Sequence, residues 1–353
     1  MNFEVISFEN KKEWEKRVKE FSEYDIYYTP TYLEAFYLHG DGNPLLFYYS
    51  DDDIKAINIV MKRDIVEDKN FRGQVSPNTY FDLETPYGYG GFLIEGKKDK
   101  KNIDNLKGEY DKYCREHGIV SEFVRFHPIL CNASYLSEMY QQRKLGRTIV
   151  MDLSSREVIW NGIKRNRIGD IKKAKKNGVE IFWGRSPCLL AKFIEMYSKT
   201  MDKNDANKYY YFNKAFYDSI LYDLKNSSLF FYAMFESRII SMAIILFCNG
   251  KMHYHLSTTD LNYQKLAPAS ILLYEAACWG SENGYETFHL GGGLGGNEDN
   301  LYKFKAGFNI NSNVEFIIGR RIFDEKRYSE LVKLRKRDYN FDENKEMFIE
   351  YRM

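Results

Sequence analysis

Two parts of the chain show the same order of apolar and polar positions. In the first, PLLFYYSDDDIKAINIVMKRDI (residues 44–65) joins two apolar runs through a polar turn at 50–53. In the second, LFFYAMFESRIISMAIILFCNGKMHYHLSTTD (229–260) joins three runs through turns at 236–238 and 249–250. Apolar runs of this length between short polar turns are typical of antiparallel hairpins. Both parts are therefore predicted to form β-meanders.

A helix and a further strand follow each meander. NIDNLKGEYDKYCREHG precedes the apolar run IVSEFVRFHPIL, and APASILLYEAACWGSENG precedes YETFHLGG. Gly118 and Gly284 stand where a helix C-terminal glycine is expected. The repeated plan predicts an α+β fold with an internal duplication and domains at residues 1–145 and 146–353. Two unrelated α+β segments are the alternative.

The second domain opens with a segment of helical periodicity. Ser154 and Glu157 fit a capping box, and Gly178 ends the segment. Gly169 is expected to kink or divide the helix, because glycine costs about 1 kcal/mol relative to alanine in a helix interior.

This segment is strongly basic. Between residues 164 and 176, seven cations accompany a single acidic residue, Asp170: Lys164, Arg165, Arg167, Lys172, Lys173, Lys175 and Lys176. Most of these side chains are expected on a solvated face. Arg167 differs because it stands four residues from both Ile163 and Ile171, at the edge of the apolar stripe. An arginine there needs an anionic partner, either a protein carboxylate or a bound phosphate.

The densest glycine cluster lies in FHLGGGLGGNEDNLYKFKAGF (288–308), where Gly291, Gly293 and Gly296 spell GxGxxG. A dinucleotide-binding loop needs a long helix after the glycines and a second strand ending in an acidic residue, and neither pattern follows. No Gly-Lys-Ser/Thr supports a Walker loop either. The glycines instead predict a loop that a ligand approaches closely, with a plain surface turn as the alternative.

Composition narrows the class of protein. The chain has 353 residues, 44% of them hydrophobic, and a net charge of +1. Two domains suit this length, and the charge gives no argument for a nucleic-acid or membrane partner of the whole protein. The five cysteines are scattered without a pairing pattern, which indicates a reducing compartment. A charged N-terminus and the absence of a long apolar run predict a cytoplasmic protein with no transmembrane segment.

Several of these stretches resemble the FemAB-like branch of the GNAT acyltransferase superfamily. They are IWNGIKRNRIGDIKKAKKNGVEI, YHLSTTD, APASILLYEAACWGSENGYETFHLGG and DNLYKFKAGF in the second domain, and TPYGYGG (85–91) in the first. The resemblance implies two tandem GNAT domains with mostly antiparallel sheets. It also implies transfer of an acyl group, from acyl-CoA or aminoacyl-tRNA, to an amine of a nucleotide- or lipid-linked sugar or peptide.

The same resemblance assigns candidate roles. Lys305 matches the lysine of the family's Phe-Lys motif, which contacts substrate phosphates or the reacting carbonyl. From its position three residues earlier, Tyr302 is expected to bring a phenol to the same pocket. Ordinary acyl-CoA enzymes carry Gln/Arg-x-x-Gly-x-Gly/Ala at the donor site. This chain offers Gln264, Lys265, Leu266, Ala267, Pro268 and Ala269, with Ala267 in place of the central glycine. No long heptad pair marks the coiled-coil arm of several bridge-forming aminoacyltransferases.

Amine acylation also needs a held oxyanion and a proton acceptor. Backbone N–H groups are expected to hold the oxyanion where HYHLSTT and TFHLGGG separate. His255, His289, Glu298 and Asp299 are alternative proton acceptors, with His255 taken into the catalytic set. His253, His255 and His289 form a conceivable zinc trio, but no ligand spacing supports it, so no metal is expected.

The remaining candidates are expected to bind substrate in a domain cleft. They are Tyr87, Tyr89, Arg167, Tyr254, Gly291, Gly292, Gly293 and Asp299. The sequence thus predicts an N-acyltransferase that uses acyl-CoA and a glycan-precursor amine. A charged-tRNA aminoacyltransferase and a non-catalytic sugar-nucleotide-binding protein are the alternatives, and the oligomeric state stays open.

Overall fold

The computed structural model describes residues 1–203, 205–337, 341 and 347–352. The chain divides into two compact units, Met1–Lys144 with Ile317–Met353, and Leu145–Phe316. Both units contain helices and mostly antiparallel strands, so the predicted α+β class is confirmed. Among the described residues, no helix combines the length and apolar character needed to span a membrane.

The described strands are β1 (Asn2–Ser7), β2 (Asn43–Ser50), β3 (Ile54–Asp64), β4 (Phe81–Glu84), β5 (Leu93–Gly96), β6 (Ile119–Arg125), β7 (Gln141–Asp152), β8 (Glu180–Gly184), β9 (Ser228–Phe235), β10 (Arg238–Cys248), β11 (Lys251–Thr259), β12 (Thr287–Gly291) and β13 (Val314–Ile322). The described α-helices are α1 (Lys11–Lys19), α2 (Pro30–His39), α3 (Lys100–Glu116), α4 (Arg156–Gly162), α5 (Arg165–Lys176), α6 (Pro187–Lys203), α7 (Lys214–Tyr222), α8 (Pro268–Glu282), α9 (Asn300–Lys305) and α10 (Glu325–Lys336).

The sheet of the first unit is an antiparallel meander extended by a parallel strand. Strands β1, β2, β3 and β4 pair antiparallel in that order, and β4 then pairs parallel with β6. On its other side β6 pairs antiparallel with β13 through Ile318–Ile322. The short strand β5 lies off this path and pairs with β3.

The second unit repeats this order of pairings. Strands β8, β9, β10 and β11 pair antiparallel, β11 pairs parallel with β12, and β12 pairs antiparallel with β7. The same sequence of antiparallel and parallel pairs in both units supports the predicted duplication over two unrelated segments.

Local sequence explains the turns and helix ends. Glu236 and Ser237, in the turn between β9 and β10, both adopt positive φ, as the tight hairpin turn matched to strand twist requires. Helices α3 and α8 end just before Gly118 and Gly284, which have φ of 68° and 78°. Both glycines thus take the left-handed conformation expected after a helix end.

The structure corrects three predictions. The helix cap lies at Ser155, whose Oγ accepts from the Val158 N–H at 3.1 Å, and not at Ser154. The helical segment divides at residues 163–164, while Gly169 lies inside α5. Residues from Ile317 belong to the first unit and not to the second domain, because β13 pairs with β6 and Phe323 packs into the first unit's core.

The hydrophobic core of the second unit fixes the positions of the helices and strands around the candidate site. Helix α8 packs its apolar face on the central strands through residues such as Ile271, Leu272 and Leu273, and Phe288 and Leu290 of β12 are fully buried beside them. Ile163 and Ile171 join the same core, which fixes α5 next to α8. The ends of α5, α8, α9 and β12 are therefore held by buried apolar contacts.

Candidate active site

The parallel strands β11 and β12 separate after the third residue of β11. Their register runs from Lys251–Thr287 to His253–His289 and ends there, although β11 continues to Thr259. The pairing of β11 with β10 also shifts at this point, so that His255 is the extra residue of a bulge. The predicted separation of HYHLSTT from TFHLGGG is confirmed.

Helix α9 brings Lys305 to this opening. Asp299 caps the helix, since its carboxylate accepts from the N–H groups of Tyr302 at 2.8 Å and Leu294 at 3.1 Å. Lys305 is the last residue of the helix and is 9% exposed. Its Nζ donates to the Gly292 carbonyl oxygen at 2.8 Å and lies 5.9 Å from the centre of the Tyr254 ring.

Burial changes the protonation of this lysine. Loss of solvent lowers the pKa of Lys305 from 10.5 to about 8, although the nearby Asp299 carboxylate acts in the opposite direction. Lys305 therefore stays mostly charged at neutral pH and becomes neutral on mild alkalinisation. A buried lysine of this kind is suited to hold an anion or to exchange a proton.

Most glycines of the loop after β12 serve packing within the chain. A Cβ at Gly292 would lie 2.7 Å from the Arg147 carbonyl oxygen, and one at Gly293 would overlap the Asn297 carbonyl. Gly291 differs because its Cβ, at φ of 76°, would meet only the Lys305 Nζ, at 3.2 Å. Contacts within the chain thus account for the glycines at 292 and 293 but not for Gly291, and ligand binding by this loop stays a prediction.

Arg167 links α5 to the two elements that form the site. Its Nη1 donates to the Asp170 carboxylate at 2.6 Å and to Ser270 Oγ, in the first turn of α8, at 3.1 Å. Its guanidinium also lies 4.4 Å from the ring of Phe304 in α9. The anionic partner expected for Arg167 is thus a protein carboxylate, and the arginine ties α8 to the helix that carries Lys305.

The other candidates for catalysis, Tyr302, His255 and Asp299, lie in different surroundings. Tyr302 is half-buried and packs against the core of the second unit. Burial, with a smaller effect of His253, lowers the pKa of His255 to about 3, which makes its imidazole a weak base at neutral pH. The backbone hydrogen bonds that Asp299 accepts lower its pKa as well, so this carboxylate acts as a helix cap. Neither group is therefore favoured as proton acceptor.

The predicted donor segment lies at the N-terminus of α8. Residues 264–266 end a short 3-10 helix, and α8 starts at Pro268. Ala267 between them has φ of 54° and ψ of 43°, a left-handed conformation that favours glycine, and it precedes a proline. The chain thus keeps a glycine-like backbone at the position where alanine replaces the expected glycine.

Tyr87 and Tyr89 lie in the first unit, in the 85–91 loop between β4 and β5. The Tyr87 ring stacks on Phe36 with centroids 5.4 Å apart, and the Tyr89 ring meets the Tyr27 ring edge-on at 5.6 Å. Both tyrosines are half-buried, and burial raises the pKa of Tyr89. Gly88 between them is needed because a Cβ there would overlap the Tyr27 ring.

One residue of this region was not predicted from the sequence. The Arg125 side chain, at the end of β6, donates to the carbonyl oxygens of Thr85, Pro86 and Gly88. A lone arginine at the end of an apolar strand gives no periodic signal, and its three acceptors lie 37–40 residues earlier in the chain. Only the folded structure reveals the contact.

Comparisons with known proteins agree with this architecture. Residues 164–305 match the family model "Acetyltransferase (GNAT) domain". The solved structure of FemX is similar over 94% of this chain and 99% of its own, with 12% identity and a TM-score of 0.67. L-PGS from Bacillus licheniformis is similar over 92% of this chain and 96% of its own, with 13% identity and a TM-score of 0.55.

A third similar structure is the C-terminal domain of a putative lysylphosphatidylglycerol synthetase from Agrobacterium fabrum. It covers 88% of this chain and 92% of its own, with 13% identity and a TM-score of 0.53. No curated protein matches the chain. These findings confirm the predicted FemAB-like resemblance and favour an acyltransferase over a non-catalytic binding protein. Residues 164–305 therefore match the acetyltransferase domain of the GNAT superfamily, and the chain shares its fold with FemX.

Proposed function

We propose that the protein transfers an acyl group from acyl-CoA to an amine of a nucleotide- or lipid-linked sugar, or of another surface-glycan precursor. The observation that carries this proposal is the buried Lys305 ammonium at the open end of the β11–β12 pair. A cation held there by the Gly292 carbonyl can bind a substrate phosphate or the oxygen of the reacting carbonyl as a point charge.

The reaction forms a C–N bond and breaks the C–S bond of the thioester. The acceptor amine attacks the carbonyl carbon, the oxyanion is held by backbone N–H groups where the strands separate, and CoA leaves as the thiol after taking up the proton that the amine loses. Tyr302 and Tyr254 line the same opening on either side of Lys305 in our assignment. Water relays this proton from the amine to the leaving sulfur, because His255 and Asp299 are weak bases at neutral pH.

The backbone at the start of α8 supports acyl-CoA as donor. A helix N-terminus favours the pyrophosphate of CoA, and the left-handed Ala267 turns the chain into α8 as a glycine would. We assign residues 264–267 and Ala269 to donor binding on this basis. Since acyl-CoA and charged tRNA are both made in the cytoplasm, we place the reaction there.

Tyr87 and Tyr89 are assigned to acceptor recognition. In each tyrosine the ring packs within the first unit, and the phenolic hydroxyl can bind a sugar or phosphate oxygen. The glycines beside them keep the loop backbone narrow.

An aminoacyltransferase that uses charged tRNA is the second candidate. Six cations of the 164–176 segment are exposed: Lys164, Arg165, Lys172, Lys173, Lys175 and Lys176. Two of them also make contacts within the chain, since Lys175 pairs with Glu275 at 2.7 Å and Lys172 lies 5.9 Å from the Trp160 ring. The names FemX and lysylphosphatidylglycerol synthetase, borne by proteins of similar fold, add weight to this candidate.

The test combines binding and turnover. Calorimetry with acetyl-CoA and free CoA measures donor binding, and mass spectrometry detects N-acetylation of UDP-glucosamine, a nucleotide-linked sugar with a free amine. Alanyl-tRNA replaces acetyl-CoA as donor in a parallel assay. Lys305→Ala is compared with Lys303→Ala, because Lys303 lies exposed on the same helix two residues earlier.

We expect saturable CoA binding, N-acetylated product, and loss of turnover in Lys305→Ala but not in Lys303→Ala. Transfer from alanyl-tRNA alone would move the donor to the second candidate. Absence of CoA binding at millimolar concentration together with absence of transfer from either donor would contradict the proposal.

A further inference from the structure

The parallel pair of the first unit ends differently from its counterpart in the second. Strands β4 and β6 occupy the topological position that β11 and β12 occupy. Past the end of β4, the 85–91 loop stays on the edge of β6. The Thr85 N–H donates to the Phe123 oxygen at 3.0 Å, the Arg125 N–H to Thr85 Oγ1 at 3.0 Å, and the Gly90 N–H to the Arg125 oxygen at 2.8 Å. The loop therefore covers the strand end that is open in the second unit.

The side chain of Arg125 completes this closure. Its Nε donates to the Gly88 oxygen at 3.1 Å, and its Nη2 donates to the oxygens of Thr85 at 2.5 Å and Pro86 at 3.0 Å. Its Nη1 is paired with the Glu84 carboxylate at 3.0 Å. One planar guanidinium thus holds three carbonyl groups of one loop, a geometry that the point charge of lysine cannot reproduce.

Other side chains bind other carbonyls of this loop, since the Tyr32 hydroxyl donates to the Tyr87 oxygen at 2.5 Å, Asn132 Nδ2 to the Gly90 oxygen at 2.8 Å and the Tyr28 hydroxyl to the Gly91 oxygen at 2.8 Å. Between β4 and β5 it has no regular secondary structure, and Gly88 and Gly91 have φ of 101° and 84°, conformations that leave glycine backbones adaptable. Its backbone carbonyls at 85, 86 and 88 all point to the same side chain. Arg125 is thus the side chain that binds the carbonyls on both sides of Tyr87 and the one before Tyr89, and we expect it to contribute to the directions of both rings.

We propose that Arg125 is a positioning residue for acceptor binding. It holds the 85–91 loop closed over the end of the β4–β6 pair, which presents Tyr87 and Tyr89 to the acceptor and leaves the first unit without an opening for an acyl donor. The link to the acceptor rests on the proposed function, whereas the holding of the loop does not.

Hydrogen exchange tests the holding of the loop directly. Exchange of the amides of peptides covering residues 85–91 is compared among wild type, Arg125→Lys and Arg125→Gln. The matched control is Arg185→Lys, because Arg185 likewise donates to several backbone carbonyls, those of Ile220, Leu221 and Leu224, but within the second unit. We expect about tenfold faster exchange in both Arg125 variants, the effect of one charge-assisted hydrogen bond, and no change in the control.

Kinetics with UDP-glucosamine and acetyl-CoA test the consequence. In Arg125→Lys, which keeps the charge opposite Glu84, we expect the KM for UDP-glucosamine to rise about tenfold, while kcat and the KM for acetyl-CoA stay within about twofold. A general loss of stability would not produce this split between the two substrates.

Two results would overturn the inference. Unchanged exchange in the 85–91 loop would show that Arg125 does not hold it, and faster exchange with an unaltered KM for UDP-glucosamine would show that the held loop does not serve the acceptor. Failure of the proposed function looks different, since the wild type itself would then lack turnover, and the exchange experiment would still decide whether Arg125 holds the loop.

Discussion

Replacing Lys305 by methionine isolates the cost of burying its ammonium group. Methionine is unbranched and of similar length, so the packing around the aliphatic part of the side chain is retained. The charge and the hydrogen bond from Nζ to the Gly292 oxygen are both removed. The variant therefore measures what the protein gives up in stability to keep a lysine at the opening of β11 and β12.

The magnitude follows from the pKa of the lysine. Lowering it from 10.5 to about 8 corresponds to about 3 kcal/mol of unfavourable free energy at pH 7, at about 1.4 kcal/mol per pH unit. Loss of the hydrogen bond to Gly292 returns about 1 kcal/mol of this. We expect Lys305→Met to be more stable than wild type by about 2 kcal/mol at pH 7 and to lack transferase activity.

The pH dependence gives the sharper test. The folded pKa of Lys305 is lower than the unfolded value, so between about pH 8 and pH 10.5 the unfolded chain binds more protons. The penalty is therefore fully present below about pH 8 and is relieved as the pH rises towards 10.5, so wild-type stability gains over this range. Lys305→Met lacks this gain, and its advantage should shrink and then reverse between pH 8 and 10.

Urea unfolding of wild type and variant at pH 7, 8, 9 and 10 measures this difference, since the other titrating groups are common to both proteins. Lys303→Met is the control, because Lys303 is exposed on the same helix, and its difference from wild type should stay within about 0.5 kcal/mol at every pH. A Lys305→Met variant that is destabilised by the same amount at pH 7 and pH 10 would refute the argument that Lys305 is a costly buried charge.

Three further predictions address the neighbouring features. Gly291→Ala should lower both stability and transferase activity, because its Cβ would meet the Lys305 Nζ at 3.2 Å. The control is Gly295→Ala, which has φ of 62° but contacts only Asn297, and it should lower stability alone. Ala267→Gly should raise the unfolding free energy by about 0.5–1 kcal/mol in urea by relieving a left-handed alanine, and should leave calorimetric CoA binding intact; a destabilised variant would contradict this. If charged tRNA is the donor, the triple change Lys172→Gln, Lys173→Gln and Lys176→Gln should reduce the slope of log binding constant against log salt by up to about 3, and an unchanged slope would exclude this face.

The fold could be predicted wherever its determinants are local. Alternating apolar runs and polar turns gave the two meanders, and the glycines that terminate α3 and α8 marked the helix ends. The segment after Ile317 could not be assigned to a domain from local sequence. Its strand pairs with β6, nearly 200 residues earlier, and its own apolar pattern does not indicate that partner. The divided helix near residue 163 is a second case, since the break lies at an ordinary backbone position while the glycine at 169 stays helical.

Site residues could be predicted where the side chain itself is chemically distinctive. They were predicted less well where the role of a residue depends on the conformation of the backbone around it. Lys305 was identified through its motif, and its burial agrees with a functional role because a buried ammonium is costly. The glycines at 292 and 293 are predicted ligand contacts that also lie against neighbouring carbonyls, and the sequence alone does not reveal that second reason for a glycine. Arg125 was missed because its role depends on acceptors that only the fold brings near.

The two units show how one topology supports different uses. In both, an antiparallel meander is followed by a parallel pair, and the end of that pair leaves backbone groups that need partners. In the first unit the chain supplies those partners itself through the 85–91 loop and Arg125. In the second unit the Lys305 ammonium meets the Gly292 carbonyl, at a cost that the pKa of the lysine records. Because a costly cation is kept at one strand end and a loop with its own hydrogen-bond partners at the other, we propose that the chemistry belongs to the second unit and that this duplicated fold contains one active site.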